Sequence, residues 1–215
     1  MATVHPLSPA TIPTLASSVR SVIRDGGLIA IPTETFYGLG ANPFDTAAVD
    51  RLLAIKNREE GKPILVLIGD VGQLPLLIAD MPRIGHILTE AFWPGALTIL
   101  LPAHPSLPLN LTARSGLVGV RLSSCVSLTE LLKQIGPVTG TSANRSGHPP
   151  AATAEQVQQE LGHEVDMILD AGRTAGGLPS TVVDVREPVR IVRDGAIPRQ
   201  TIRNVLETHG IVLAA

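Results

Sequence analysis

The chain has 215 residues, 17 Lys and Arg against 19 Asp and Glu for a formal charge of −2, and only three Phe, one Trp and one Tyr. That length provides for one sizeable core rather than several; the charge lacks the basic footprint of a dedicated nucleic-acid binder; and so few aromatics disfavour a platform that stacks single-stranded bases. The single cysteine, Cys125, excludes an internal disulfide and a Cys-rich metal site.

No run approaches the roughly 18 uninterrupted apolar residues of a spanning helix. The N-terminus shows no basic start followed by an apolar stretch, so no secretion signal is read there. The expectation is a cytoplasmic protein without membrane contact, with residues 1–215 forming one domain.

In chain order, Ile12, Leu15, Ala16, Val19, Val22 and Ile23 fall on one stripe of a helix over about 11–24, and Gly26-Gly27 supplies its stop. Residues 28–31 form a buried strand that Pro32 ends, since proline has no N–H for the ladder. A hydroxyl-rich loop follows with Thr33, Glu34, Thr35 and Tyr37, then Gly38 and Gly40, which permit close backbone approach to a ligand. Asp45 suits the N-cap of a helix with Val49, Leu52 and Leu53 on its apolar face. Lys56, Arg58 and Lys62 cluster at its far end.

Residues 64–68 read as a second buried strand, 73–78 and 82–92 as helical, and Trp93-Pro94-Gly95 as the stop. Strands are expected over 97–101 and over 117–122, the latter carrying Arg121, with a Pro-rich loop between them. A short helix over 128–135 and a short strand over 137–139 lead into the polar turn GTSANRSGHPP. Thr153 caps a helix to Leu161, 167–169 is strand-like, and a Gly-rich loop ends at Ser180-Thr181. Strands over 182–185 and 189–192 precede Arg193-Asp194-Gly195, and an amphipathic helix over about 199–208 closes the chain. Interleaved strands and helices imply an α/β layered domain, with some antiparallel pairing among the closely spaced late strands.

Familiar nucleotide fingerprints are missing: Gly61-Lys62 lacks the upstream glycine of a Walker loop, and Gly38-Leu39-Gly40 is not followed by a third glycine. Gly140-Thr141-Ser142-Ala143-Asn144 approaches the hydrolase elbow but ends in Asn, so Ser142 reads as a hydrogen-bonding residue and not a nucleophile. The six histidines have no metal-site spacing. Cations at a helix end also have an ordinary explanation, because they complement the helix dipole by about 0.3 to 1 kcal/mol. Against that stands a second hydroxyl-amide turn, 141–144, after a later strand. Loops at strand ends in an α/β fold converge on a ligand crevice. Lys and Arg suit phosphates, while Ser, Thr and Asn give oriented hydrogen bonds. The combination fits anion binding and positioning, by which phosphoryl and nucleotidyl transfer are mostly catalysed.

In this order PTETFYGLG, KNREEGKP, FWPGALTILLP, VGVRL, TSANRSGHPP, STVVDV and VRIVRDG resemble the YrdC-like family of L-threonylcarbamoyl-AMP synthases over about residues 26–197, with its K-x-R and S-x-N signature at Lys56, Arg58, Ser142 and Asn144. The resemblance implies a twisted mixed parallel and antiparallel sheet with helices packed on it, the dsRBD-like α/β fold of the family, over a concave, positively lined pocket. It implies a reaction of L-threonine, bicarbonate and ATP, with Mg2+ accompanying the ATP and no dedicated protein ligand for the ion. It also implies contact with tRNA and with the transferase proteins that use the product for threonylcarbamoyladenosine. By the same resemblance Lys56, Arg58, Ser142 and Asn144 are the catalytic residues; Lys56, Arg58, Asn144 and Arg193 hold ATP, with Lys62 either joining them or meeting the carboxylated amino acid; and Thr33, Tyr37, Arg121, Ser142 and Ser180 hold L-threonine. Leu67, Leu117 and Ala152 depart from residues that other family members carry near the substrates. A YciO-type paralogue acting as an RNA- or nucleotide-binding module, or carbamoyl-adenylate chemistry on another acceptor, is the alternative.

Overall fold

A computed structural model describes residues 1–56 and 62–214. Arg58 therefore lies outside the described residues. The chain opens with strand β1 (Thr3–Pro6) and helix α1 (Ile12–Arg24), followed by β2 (Ile29–Pro32), β3 (Tyr37–Gly40), α2 (Thr46–Lys56) and β4 (Leu65–Ile68). A 3-10 turn (Val71–Leu76) leads to α3 (Arg83–Phe92), β5 (Leu97–Pro102), β6 (Leu117–Leu122) and α4 (Val126–Ile135). The remaining elements are β7 (Val138–Thr139), β8 (Thr141–Ser142), α5 (Ala154–Leu161), β9 (Met167–Asp170), β10 (Thr181–Asp184), β11 (Arg190–Arg193) and α6 (Arg199–Thr208).

The fold is mixed α/β, with its strands divided between two sheets: a five-stranded one in the order β1-β9-β2-β3-β8 and a six-stranded one in the order β11-β10-β5-β6-β4-β7. Antiparallel pairing is not confined to the late strands, since β2–β3, β5–β6, β3–β8 and β4–β7 are antiparallel as well as β10–β11. Three strands are unanticipated by the sequence pattern. β1 is a short, largely exposed edge strand parallel to β9. β3 was expected to be loop because two of its four residues are glycine, yet it is fully buried. The glycine at position 40 is a packing requirement there: a Cβ would meet the Ile29 side chain at 2.9 Å. β8 lies inside the polar turn and pairs Ser142 with Gly38.

The chain crosses from one sheet to the other at Gly140, between β7 and β8. A Cβ at this residue would meet the Leu67 side chain at 2.6 Å, and its N–H donates to Leu65 O at 2.7 Å. Thr139 pins the crossing, as its hydroxyl donates to Leu39 O at 3.0 Å and accepts from Ala41 N at 2.8 Å.

Two apolar clusters fill the space around the sheets. The larger includes Val66, Ile68, Ile99, Leu101, Val118 and Val120 from one face of the six-stranded sheet. The smaller joins Leu67 to α1, α4 and the Ile29 and Ile31 face of β2. Because side chains alternate across a strand, the face opposite the larger cluster also carries Arg121, which pairs with Leu67 across β6 and β4. The β5–β6 register pairs Ile99 with Val120, so one step further Thr98 stands across from Arg121 on that face.

Candidate active site

Helix α2 begins as its sequence dictates, with the Asp45 carboxylate accepting from Ala47 N at 2.9 Å and Ala48 N at 3.3 Å, the usual satisfaction of orphan helix N–H groups. Its last residue, Lys56, is buried. The ammonium donates to Ser142 O at 2.8 Å, Asn144 O at 2.6 Å and Asn144 Oδ1 at 2.7 Å, with Ser142 Oγ at 3.4 Å. Ser142 Oγ donates to Asn144 Oδ1 at 2.7 Å, and Asn144 Nδ2 donates to His148 O at 2.5 Å. The Ser146 hydroxyl closes the ring on the Lys56 carbonyl. Three of the four signature positions are thus assembled around one cation.

The turn between β2 and β3 is stapled by Thr33. Its hydroxyl donates to Phe36 O at 2.7 Å and accepts from Thr35 N at 3.1 Å and Phe36 N at 3.3 Å. Thr33 and Thr35 Oγ1 lie 3.0 Å apart. Since Thr33 gives its proton to Phe36, Thr35 donates to Thr33 and is left as acceptor for Arg121 Nη2 at 3.2 Å. Arg121 is 3% exposed, and Nη2 also stands 2.7 Å from Glu34 Oε1. The other Glu34 oxygen accepts from the Ser123 hydroxyl, whose Oγ accepts in turn from Cys125 N at 3.2 Å, just before α4. Burial pushes the Cys125 thiol up from its ordinary range, and the Glu34 charge adds to this. Arg121 Nε is buried with no hydrogen-bond partner.

Ser180, at the end of the Gly-rich loop, is 2% exposed. Its hydroxyl lies 2.8 Å from Thr98 Oγ1, and Arg193 reaches back from β11 to Ser180 O at 2.9 and 3.1 Å and to Ser180 Oγ at 3.0 Å. This return needs a glycine at 195, where a Cβ would stand 2.3 Å from Pro179 O and 2.5 Å from Ser180 C.

Tyr37 opens β3 rather than lying in a loop, and it is fully buried. Its hydroxyl donates to Gly172 O at 2.8 Å and Asp170 Oδ1 at 3.1 Å. Burial first, and the Asp170 charge second, push the phenol well above its ordinary range. That makes Tyr37 an anchor for the start of the Gly-rich loop, which also touches the Thr33 turn through Gly176 N to Thr35 O at 2.8 Å. Lys62 is exposed.

These contacts form one string: α2 to β8 at Lys56, β8 to β3 by pairing, the β2–β3 turn to β6 at Thr35 and Arg121, and β5 to Ser180 and Arg193. Two clefts, of about 840 and 850 Å3, open elsewhere, one beside the 3-10 turn and α3, the other between the start of α3 and residues 185–189 and 210–212. Their linings contain none of the residues in the string. The sequence pattern named Glu34 and Thr35 only as members of the hydroxyl-rich loop, without a role, and did not single out Thr98 or Ser123. The one local signal was the alternation of hydroxyl and carboxylate in Thr33-Glu34-Thr35.

Such a string of buried cations, hydroxyls and a carboxamide is a candidate anion site in an α/β fold. The chain belongs to the Sua5/YciO/YrdC family, whose model, described as "Telomere recombination", matches residues 21–195. A Mycobacterium tuberculosis relative is 39% identical over 190 residues, covering 88% of each chain. The Pyrococcus abyssi threonylcarbamoyl-AMP synthase is 37% identical over 188 residues, 86% of this chain and 55% of the relative. The crystal structure of P. abyssi Sua5 complexed with L-threonine is similar with a TM-score of 0.86 and 32% identity, covering 100% of this chain and 62% of that one. The chain therefore spans somewhat more than half the length of these archaeal relatives. No helix among the described residues is long and apolar enough to cross a membrane.

Proposed function

We propose that this chain is an L-threonylcarbamoyladenylate synthase, converting L-threonine, bicarbonate-derived CO2 and ATP to threonylcarbamoyl-AMP and pyrophosphate, acting in the cytoplasm as one domain spanning residues 1–215. The observation that carries the reading is the meeting of Lys56 with Ser142 and Asn144 across 86 and 88 residues of sequence, in a chain similar to a threonylcarbamoyl-AMP synthase. The product would supply N6-threonylcarbamoyladenosine formation in tRNA, with tRNA and the transferase proteins of that modification as partners.

The chemistry needs two steps. The neutral threonine amine adds to CO2, forming an N–C bond and releasing one proton, to give a carbamate. A carbamate oxygen then attacks the α-phosphorus of ATP, and the bond to the bridging oxygen breaks as pyrophosphate leaves in line. The protein's part is alignment and charge neutralisation. Lys56, Asn144, Arg193 and Lys62, with Arg58, are assigned to ATP. Arg121, Thr33, Ser142 and Ser180 are assigned to threonine, with Arg121 the carboxylate partner because its planar fork matches a carboxylate. Tyr37 contributes as pocket wall by holding the Gly-rich loop. Mg2+ is assigned to the ATP phosphates as the MgATP complex; among the described residues no three His, Cys, Asp or Glu side chains gather to hold it.

The test is pyrophosphate release with threonine and bicarbonate omitted in turn. Release that needs both supports the reading, whereas ATP turnover indifferent to threonine sinks it. A YciO-type module is the less favoured reading; tight, salt-sensitive tRNA binding without turnover would establish it.

A further inference from the structure

Resting on the proposed function, we infer that Glu34 is a positioning residue for the amino-acid site, holding the Arg121 guanidinium in the orientation that receives the substrate carboxylate. Arg121 is 3% exposed and Glu34 20% exposed, so the arginine is fixed from inside the fold. Its Nη2 donates to Thr35 Oγ1 at 3.2 Å and stands 2.7 Å from Glu34 Oε1, an ion pair without a hydrogen bond, since Oε1 is buried with no hydrogen-bond partner. Both contacts fall on the same nitrogen. Nη1 makes no contact among the described residues, so it is the donor left for a carboxylate, while Nε is buried with no partner and points away from Nη1.

Glu34 is itself fixed. The Ser123 hydroxyl donates to its second oxygen, and Ser123 Oγ is tied to Cys125 N at 3.2 Å. The path thus runs from the N-terminal end of α4 through Ser123 and Glu34 to Arg121. A counter-ion needed only to neutralise a buried cation would not require this second support, nor the simultaneous hold by Thr35. A guanidinium pinned at one nitrogen keeps its remaining donors aimed, which lowers the ordering cost when a ligand binds.

The experiment compares wild type with Glu34→Gln and Ser123→Ala by calorimetric titration of L-threonine, by titration of a non-hydrolysable ATP analogue, and by steady-state pyrophosphate release. Glu34→Gln keeps the shape and removes the charge. Threonine affinity should fall about tenfold in Glu34→Gln and about threefold in Ser123→Ala, with the loss carried by KM for threonine rather than kcat. Affinity for the ATP analogue should stay within about twofold, because no ATP contact is altered. Ser123→Ala leaves the ion pair intact, so it reports even if Glu34→Gln does not fold. Unchanged threonine affinity in the folded variants, or an equal fall for threonine and the ATP analogue, overturns the inference. A wild type that binds no L-threonine instead overturns the functional reading, and the inference with it.

Discussion

Two cations of the candidate site differ in the partners that the described residues give them. Around Lys56, the contacts from residues 142–144 are neutral oxygens: two carbonyls, a hydroxyl and a side-chain amide. Arg121 instead faces the Glu34 carboxylate in a nearly dry setting. Neutral oxygens leave more of a cation's field in place than a carboxylate does. A cation beside a carboxylate loses much of that field but gains a fixed direction. The first arrangement suits nucleotide phosphates and the second a single carboxylate of defined orientation.

Changing either cation tests that contrast. Lys56→Ala removes several charge-assisted contacts worth about 1.5 to 3 kcal/mol each, so threonine-dependent pyrophosphate release should drop by at least about a hundredfold. Affinity for an ATP analogue should fall with it; an unaffected analogue titration would break the contrast. Arg121→Lys preserves charge but not the fork, and should raise KM for threonine about tenfold with KM for ATP unchanged. Equal effects on both KM values would show that the two cations do not serve separate substrates. Ser180→Ala removes a hydroxyl between Thr98 and Arg193 and should cost about threefold in kcat/KM.

The smallest effect concerns stability. Tyr37→Phe deletes two hydrogen bonds of a buried phenol and should lower unfolding free energy by about 1 kcal/mol in denaturant titrations. Because the folded phenol titrates above its ordinary value of about 10, the stabilisation from keeping it neutral is fully present below that pH and declines as pH rises above it. Wild type and Tyr37→Phe should therefore converge in strongly alkaline solution. A constant difference would mean that the phenol titrates alike in the folded and unfolded chain.

The helices and the apolar strands were readable in the sequence, since Ile12 to Ile23 and the residues of β4 and β5 follow the periodicities of a stripe and of buried strands. That Lys56, Ser142 and Asn144 belong together was legible through the ordered blocks of a family signature, and not through local composition, which gave an ordinary helix end. What periodicity could not show was pairing. β3 and β8 are glycine-rich or two residues long and become strands only because neighbouring backbone accepts them. Glu34 and Ser123 were unreadable for a related reason: each is an ordinary polar residue until 89 residues of chain bring them together.

The passage of the chain through Gly140 has a consequence for cooperativity. Residue 139 carries the hydrogen bonds of one sheet and residue 141 those of the other, while Arg121 from the six-stranded sheet meets Thr35 from the five-stranded one. Neither sheet can open by itself without dismantling the contacts of the candidate site. Amide protons at positions 39, 41 and 139 should thus exchange only through the global unfolding event, and loss of substrate binding on heating should coincide with loss of secondary structure in a single transition.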